Sequence, residues 1–223
     1  MQLFHVILPC LTALSTICSF SGEGYLINNL QISHVALCTQ NQSEFKEHIT
    51  IKIRTDQHEI YIVPTIDYGY DPNIFLGDFI GNGLDQIFYS VNSGGSGAYS
   101  SSQLIVLQNG EQKNIYDSQN FENTAQARLK DQCVTITYLN QNYYLNASHA
   151  DLSGEQEVFV SNVNAVMPVY NGGLKKYQII QFQKIYIDYT ANNIGYLATI
   201  IDFSANGATI VNAGTFTNFT LSN

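Results

Sequence analysis

The chain has no tryptophan, and its 223 residues include only 9 lysines and arginines, 4 prolines and 4 cysteines. The shortage of cations excludes the most. Phosphate backbones and anionic headgroups are bound by concentrated positive charge. The largest basic cluster here is Lys175-Lys176 and the net charge is −9. Nucleic acid and anionic lipid surfaces are therefore not expected partners. Charged residues make up 12% of the chain, about half the usual share, so the polar surface must come largely from Asn, Gln, Ser and Thr. No long apolar run is present either. The best one, residues 6–18, is broken by Pro9 and is too short to span a bilayer. The mature chain is expected to have no stable transmembrane segment.

Catalytic signatures are also missing. Ser93-Gly94-Gly95-Ser96-Gly97 lacks the spacing of a nucleophile elbow and the Gly-Lys-Ser/Thr ending of a phosphate loop. The histidines are His5, His34, His48, His58 and His149. His48 and His58, with Glu47 and Glu59, could approach across a hairpin, but their spacing matches no zinc signature. Glu155, Asp188 and Asp202 show no pairing suited to glycoside hydrolysis. The chain is expected not to be an enzyme.

Aromatic and β-branched residues dominate what is present. There are 15 tyrosines and 12 phenylalanines, and 45% of the chain is hydrophobic. These residue types suit pleated, half-buried surfaces. Period-two runs recur from His48-Ile49-Thr50-Ile51-Lys52-Ile53-Arg54 onward, separated by turn signals such as Asn109-Gly110 and Asn206-Gly207. Residues 118–129 have modest helical character, with a loop as the alternative. Short strands at about 8–12-residue spacing imply an all-β fold: a sandwich, barrel or propeller.

Residues 1–21 carry no charge apart from His5. They read as a secretory signal peptide, with small residues in Ser19-Phe20-Ser21 and cleavage expected near Ser21. Residues 22–223 then form a single domain. Cys10 and Cys18 would leave with the leader. Cys38 and Cys133 would remain, either as one disulfide or as two buried thiols. Asn41-Gln42-Ser43, Asn146-Ala147-Ser148 and Asn218-Phe219-Thr220 are formal glycosylation sequons.

The densest local pattern is Gly77-Asp78-Phe79-Ile80-Gly81-Asn82-Gly83-Leu84-Asp85-Gln86. It lies between two apolar runs, and Ser93-Gly94-Gly95-Ser96-Gly97 follows closely. Residues 25–35 and Tyr170-Asn171-Gly172-Gly173-Leu174 are degenerate echoes that suggest repeated units. From about Asp67 onward the chain resembles secreted Firmicutes proteins that carry FG-GAP or VCBS-type repeats. Further landmarks are Gly69-Tyr70-Asp71-Pro72, Gln181-Phe182-Gln183-Lys184-Ile185 and Gly195-Tyr196. The resemblance implies blade-like antiparallel units in a β-propeller-like arrangement. It also implies an extracellular, cell-surface or spore-surface location, and no known catalysis.

In that family the loop is a calcium motif, D-x-D-G-D-G-x-x-D, and calcium takes six to eight oxygens. Here Asp78 fills the first acid position, Ile80 the second, Asn82 the third and Gln86 the last, with Asp85 one place early. A weak or vestigial calcium site would use Asp78, Asn82, Asp85 and Gln86. The alternative, which the depleted charge favours, is a hairpin whose Asp78 caps backbone N–H groups. No other cofactor is expected. The functional expectation is a non-enzymatic secreted or surface binding module for an unknown protein or carbohydrate. Tyrosines such as Tyr99, Tyr143, Tyr144 and Tyr189 would supply its surface if exposed, but core packing and strand formation are the reading that the composition favours for them. The rivals are a secreted hydrolase whose acids converge only in three dimensions, and a structural coat component.

Overall fold

The computed structural model describes residues 16–56, 58–95, 99–108, 111–147, 157–188, 193–205 and 207–217. The described chain is built from sixteen strands in four antiparallel sheets. The first sheet has the order β1 (Ile17–Asn28), β2 (Gln31–Thr39), β4 (Thr50–Arg54), β5 (Glu59–Ile62). The second runs β3 (Phe45–Lys46), β6 (Gly69–Gly77), β7 (Gln86–Asn92), β8 (Ser100–Gln108), β9 (Glu111–Asp117). The third contains β10 (Gln126–Lys130), β11 (Cys133–Tyr138) and β12 (Gln141–Asn146). The fourth is the meander β13 (Val158–Asn171), β14 (Lys176–Ile187), β15 (Asn193–Ser204), β16 (Gly207–Thr217). The all-β class holds. Among the described residues no sheet closes into a barrel or propeller.

Strand alternation explains how the sheets stack. In β4, Ile51 and Ile53 are fully buried, whereas Thr50 and Lys52, at the alternate positions, are half-buried. They join Leu26, Val35, Leu37 and Ile62 of the first sheet against Ile74, Ile87, Tyr89, Val91 and Ile105 of the second. The opposite face of the second sheet is also covered. Phe79, Phe88, Leu104 and Tyr116 pack against Ile179, Ile201 and Phe203 of the fourth. The second sheet is thus an inner layer, which is why β7 is buried on both faces from Gln86 to Tyr89. Further along the fourth sheet, Ile185, Ile187 and Leu197 meet Val134, Ile136, Tyr138 and Leu145 of the third.

Between those two apolar ends the fourth sheet turns polar. Gln181, Gln183 and Thr199 are completely buried and share a face, since Gln181 is the register partner of Thr199 and Gln183 of Leu197. Tyr116 donates its hydroxyl to Gln181 Oε1 at 3.0 Å. The Gln183 amide donates to the Ser161 carbonyl at 2.8 Å.

Two expectations are corrected, and a third meets a structural fact. Residues 118–129 hold no α-helix. A single 3-10 turn, Ser118–Asn120, is capped by Asp117, and β10 follows. Ala127 and Leu129 alternate with more exposed neighbours and pack on the third-sheet core, so period two prevails over a weak helical tendency. Cys38 does not bond Cys133. Its partner is Cys18, its register neighbour on the adjacent strand, while Cys133 opens β11 as a free thiol. Finally, Ile17, Cys18, Ser19, Phe20 and Ser21, all within the expected leader, lie in β1.

Candidate functional site: a tyrosine surface beside a self-capped hairpin

The hairpin after β6 saturates its own oxygens. Asp78 Oδ1 accepts the backbone N–H of Gly81 at 2.6 Å and of Asn82 at 3.2 Å, and Oδ2 accepts that of Gly83 at 2.8 Å. Gly81 and Gly83 take φ of +83° and +78° to wrap around it. Asn82 Oδ1 accepts from Leu84 N–H at 3.0 Å. Gln86, 1% exposed, accepts from Phe79 and Ile80 N–H and donates to the Leu84 carbonyl. Asp85 turns elsewhere. Its carboxylate accepts the Tyr25 N–H of β1 at 2.9 Å, while its own N–H donates to the Tyr25 carbonyl at 2.8 Å.

Those four residues do not fit a calcium ion. Asp78, Asn82 and Gln86 present their oxygens to N–H donors, whose positive ends repel a cation. Asp85 faces a different strand. Among the described residues no three His, Cys, Asp or Glu side chains converge in a way that could hold a metal. What the hairpin does is join sheets. Asp85 holds β1 of the first, and the Asp78 carbonyl accepts Tyr177 N–H of β14 in the fourth. Below it, Phe75 and Tyr177 meet edge-on at 4.9 Å, and Phe79 packs on Phe203 at 6.1 Å. The two echo segments are plain hairpin turns. Asn28 caps Leu30 N–H, and Asn171 caps Gly173 and Leu174 N–H.

The other landmark segments form a surface. Tyr70, the register partner of Phe45, lies 5.2 Å from it ring to ring, and Phe45 is 6.2 Å from Tyr68. Tyr68 and Tyr70 are 54% and 37% exposed. Gly94, with φ +74°, lies flat against the Tyr70 ring, where a Cβ would come within 2.5 Å of Cε2. The same turn positions Tyr99. Its carbonyl accepts both the N–H and the hydroxyl of Ser93, at 2.9 and 2.8 Å. Tyr99 then meets the fourth sheet. Its hydroxyl is 3.4 Å from that of Tyr186, and Lys184 Nζ sits 5.8 Å from its ring centre. Burial, reinforced by the Tyr99 hydroxyl, pushes the Tyr186 phenol well above the usual tyrosine range. Tyr196, register partner of Lys184, makes an edge contact with Phe182 at 6.3 Å.

Residues around 70 and around 184, far apart in sequence, thus meet the same segment, Tyr70 at Gly94 and Lys184 at Tyr99. Composition flagged the abundance of tyrosine, but not which tyrosines would gather. Of those singled out earlier, Tyr99 belongs to this surface. Tyr143 and Tyr144 lie on β12 of the third sheet, and Tyr189 lies outside the described residues, as do His5, His149 and Glu155.

A depression of about 480 Å³ lies beside the 3-10 turn, lined by Thr65, Asn114, Asp117, Asn120, Phe121 and Glu122 among others. It contains two carboxylates, but Asp117 is fully engaged. Its oxygens accept from Gln119 N–H, Gln103 Nε2 and Asn120 Nδ2. Histidines pair separately: His34 with Glu23 at 2.9 Å and His48 with Asp67 at 3.9 Å. His58 is exposed at the β4–β5 turn. Glu59 is held below its ordinary range, first by its hydrogen bond to Lys52.

No family model matches the chain, and no solved structure matches it. It is similar to an uncharacterized protein, YybI, of Bacillus subtilis (strain 168), with 24% identity over 154 residues. The alignment covers 61% of this chain and 59% of that protein. Among the described residues, no helix is long and apolar enough to cross a membrane.

Proposed function

We propose that this protein is an exported recognition module without catalytic activity, and that its ligand is a carbohydrate bound across the Tyr68–Tyr70–Tyr99–Lys184 surface. The observation that carries the reading is the turn at Ser93 and Gly94, which presents Tyr70 on one side and Tyr99 on the other. Sugar C–H faces stack on aromatic rings, and phenol hydroxyls and an ammonium supply donors to the sugar oxygens. Export is supported by the Cys18–Cys38 disulfide, because such bonds persist in oxidising compartments. Kinship with FG-GAP or VCBS-type surface proteins, suggested by the loop spacing, fits the same picture.

The hydrolase reading draws on the two carboxylates of the Asp117 depression. It is the weaker one, because Asp117 is committed to three donors from its own chain. One experiment separates the two. With no tryptophan present, emission comes from the 15 tyrosines, and the Tyr70→Ala and Tyr99→Ala variants identify the part that belongs to the surface. Titration with soluble bacterial cell-wall and plant polysaccharide fragments should change the emission. Tyr70→Ala or Tyr99→Ala should weaken binding about tenfold, the equivalent of about 1.4 kcal/mol, with no sugar released. Release of reducing ends, abolished by Asp117→Asn, would favour the hydrolase. Binding undiminished in both tyrosine variants would reject the surface.

A further inference from the structure

We propose that the leader is removed by hydrolysis of the Ser15–Thr16 bond, so that the mature chain starts at Thr16 and keeps Cys18. Water adds across that peptide bond, leaving a carboxylate on Ser15 and a free α-amine on Thr16. The inference rests on the export reading, and it places the modification site six residues upstream of the Ser21 cut that the leader alone suggests.

The first sheet supplies the reason. Ile17, Cys18, Ser19 and Phe20 pair in antiparallel register with Thr39, Cys38, Leu37 and Ala36. Cys18 is bonded to Cys38, which is 1% exposed. A cut after Ser21 would delete this half of β1, unpair the backbone of β2 along that edge and leave Cys38 as a thiol. Backbone groups deprived of a ladder partner and a lost disulfide both weaken a fold. A signal peptidase requires small side chains at the first and third positions before the cut. Ser19 and Ser21 meet that rule, but so do Ala13 and Ser15. Only the Ala13–Ser15 pair leaves the sheet whole. The mainly apolar run before it, residues 6–12, is within the length of a leader core.

The full chain, produced in a secreting bacterial host, tests this by intact mass of the protein in the medium and by thiol counting in denaturant. A mass starting at Thr16, with Cys133 as the one reactive thiol and two more after reduction, supports the proposal. A mass starting at Gly22, with Cys38 and Cys133 both reactive from the outset, overturns it and leaves export intact. Unprocessed chain held in the cells overturns both. Two variants guard against a fortuitous cut by another protease. Ser15→Leu should cause precursor to accumulate, whereas Ser21→Leu should be processed normally; the reverse pattern rejects the site.

Discussion

The Asp78 hairpin and the buried polar band of the fourth sheet place amide and hydroxyl groups inside the protein in opposite ways. In the hairpin, Gln86 is 1% exposed and all of its polar work is done, with two N–H groups accepted and one carbonyl served. In the band, Gln181 and Gln183 are as deeply buried, yet Gln181 Nε2 and Gln183 Oε1 meet no hydrogen-bond partner among the described residues, and neither does the buried Ser102 Oγ on β8 of the second sheet. The same residue type is thus a clamp in one place and a cost in the other. A satisfied buried hydrogen bond adds only a modest net gain, whereas an unsatisfied polar group carries its full desolvation penalty. Removing a partnered polar group, as in the hairpin, should therefore hurt, and removing an unpartnered one should not.

The largest effect is expected from pH. Tyr116, whose hydroxyl ties the second sheet to Gln181 of the band, and Tyr89, bonded to the Ile66 carbonyl, are both pushed far above the ordinary tyrosine range by burial. The folded protein holds them neutral, while an unfolded chain would ionise them near pH 10. Their contribution is fully present below about pH 10 and is lost as pH climbs above it. Absorbance at 295 nm should show Tyr89 and Tyr116 ionising only together with loss of β-sheet circular dichroism. Smooth titration of all tyrosines in a folded protein would contradict their burial.

Gln86→Leu comes next. It leaves the Phe79 and Ile80 N–H groups and the Leu84 carbonyl without their partner, a loss of about 3 kcal/mol readable in urea unfolding. Asp78→Ala removes three N–H caps from an exposed loop and should cost about 1–2 kcal/mol. Ser102→Ala, on β8 of the second sheet, should be neutral or stabilising by up to about 1 kcal/mol, because the hydroxyl it deletes has no partner among the described residues. A clear loss from Ser102→Ala would erase the contrast between partnered and unpartnered groups.

Strand content was legible from sequence because alternation is local. Ile51 and Ile53 on β4, or Val134 and Ile136 on β11, declare a buried face within a few residues, whereas the alternation of Ala127 and Leu129 on β10 was hidden by a weak helical tendency. The sheet order was not legible, since it depends on contacts such as Asp85 with Tyr25, 60 residues away. The disulfide was hidden for a related reason. A leader boundary drawn at Ser21 removed Cys18 from consideration, and only the β1–β2 register places it opposite Cys38. Within the hairpin, residue types alone showed the missing acids but not where the surviving oxygens point. That direction matters most, because Asp85 and Gln86 occupy or neighbour ligand positions of the family motif and are spent on backbone groups instead. The tyrosine surface needs three separate segments to meet, so no window of sequence contains it.

The claim that the Asp78 hairpin is a clamp between sheets and holds no cation is tested most directly by thermal unfolding of the wild type and Asp78→Ala, each with millimolar calcium and with a chelator. The account predicts that the wild-type midpoint is the same in both buffers. It also predicts that Asp78→Ala lowers the midpoint by an equal amount in each. A wild-type midpoint several degrees higher in calcium, with that increment lost in Asp78→Ala, would contradict it.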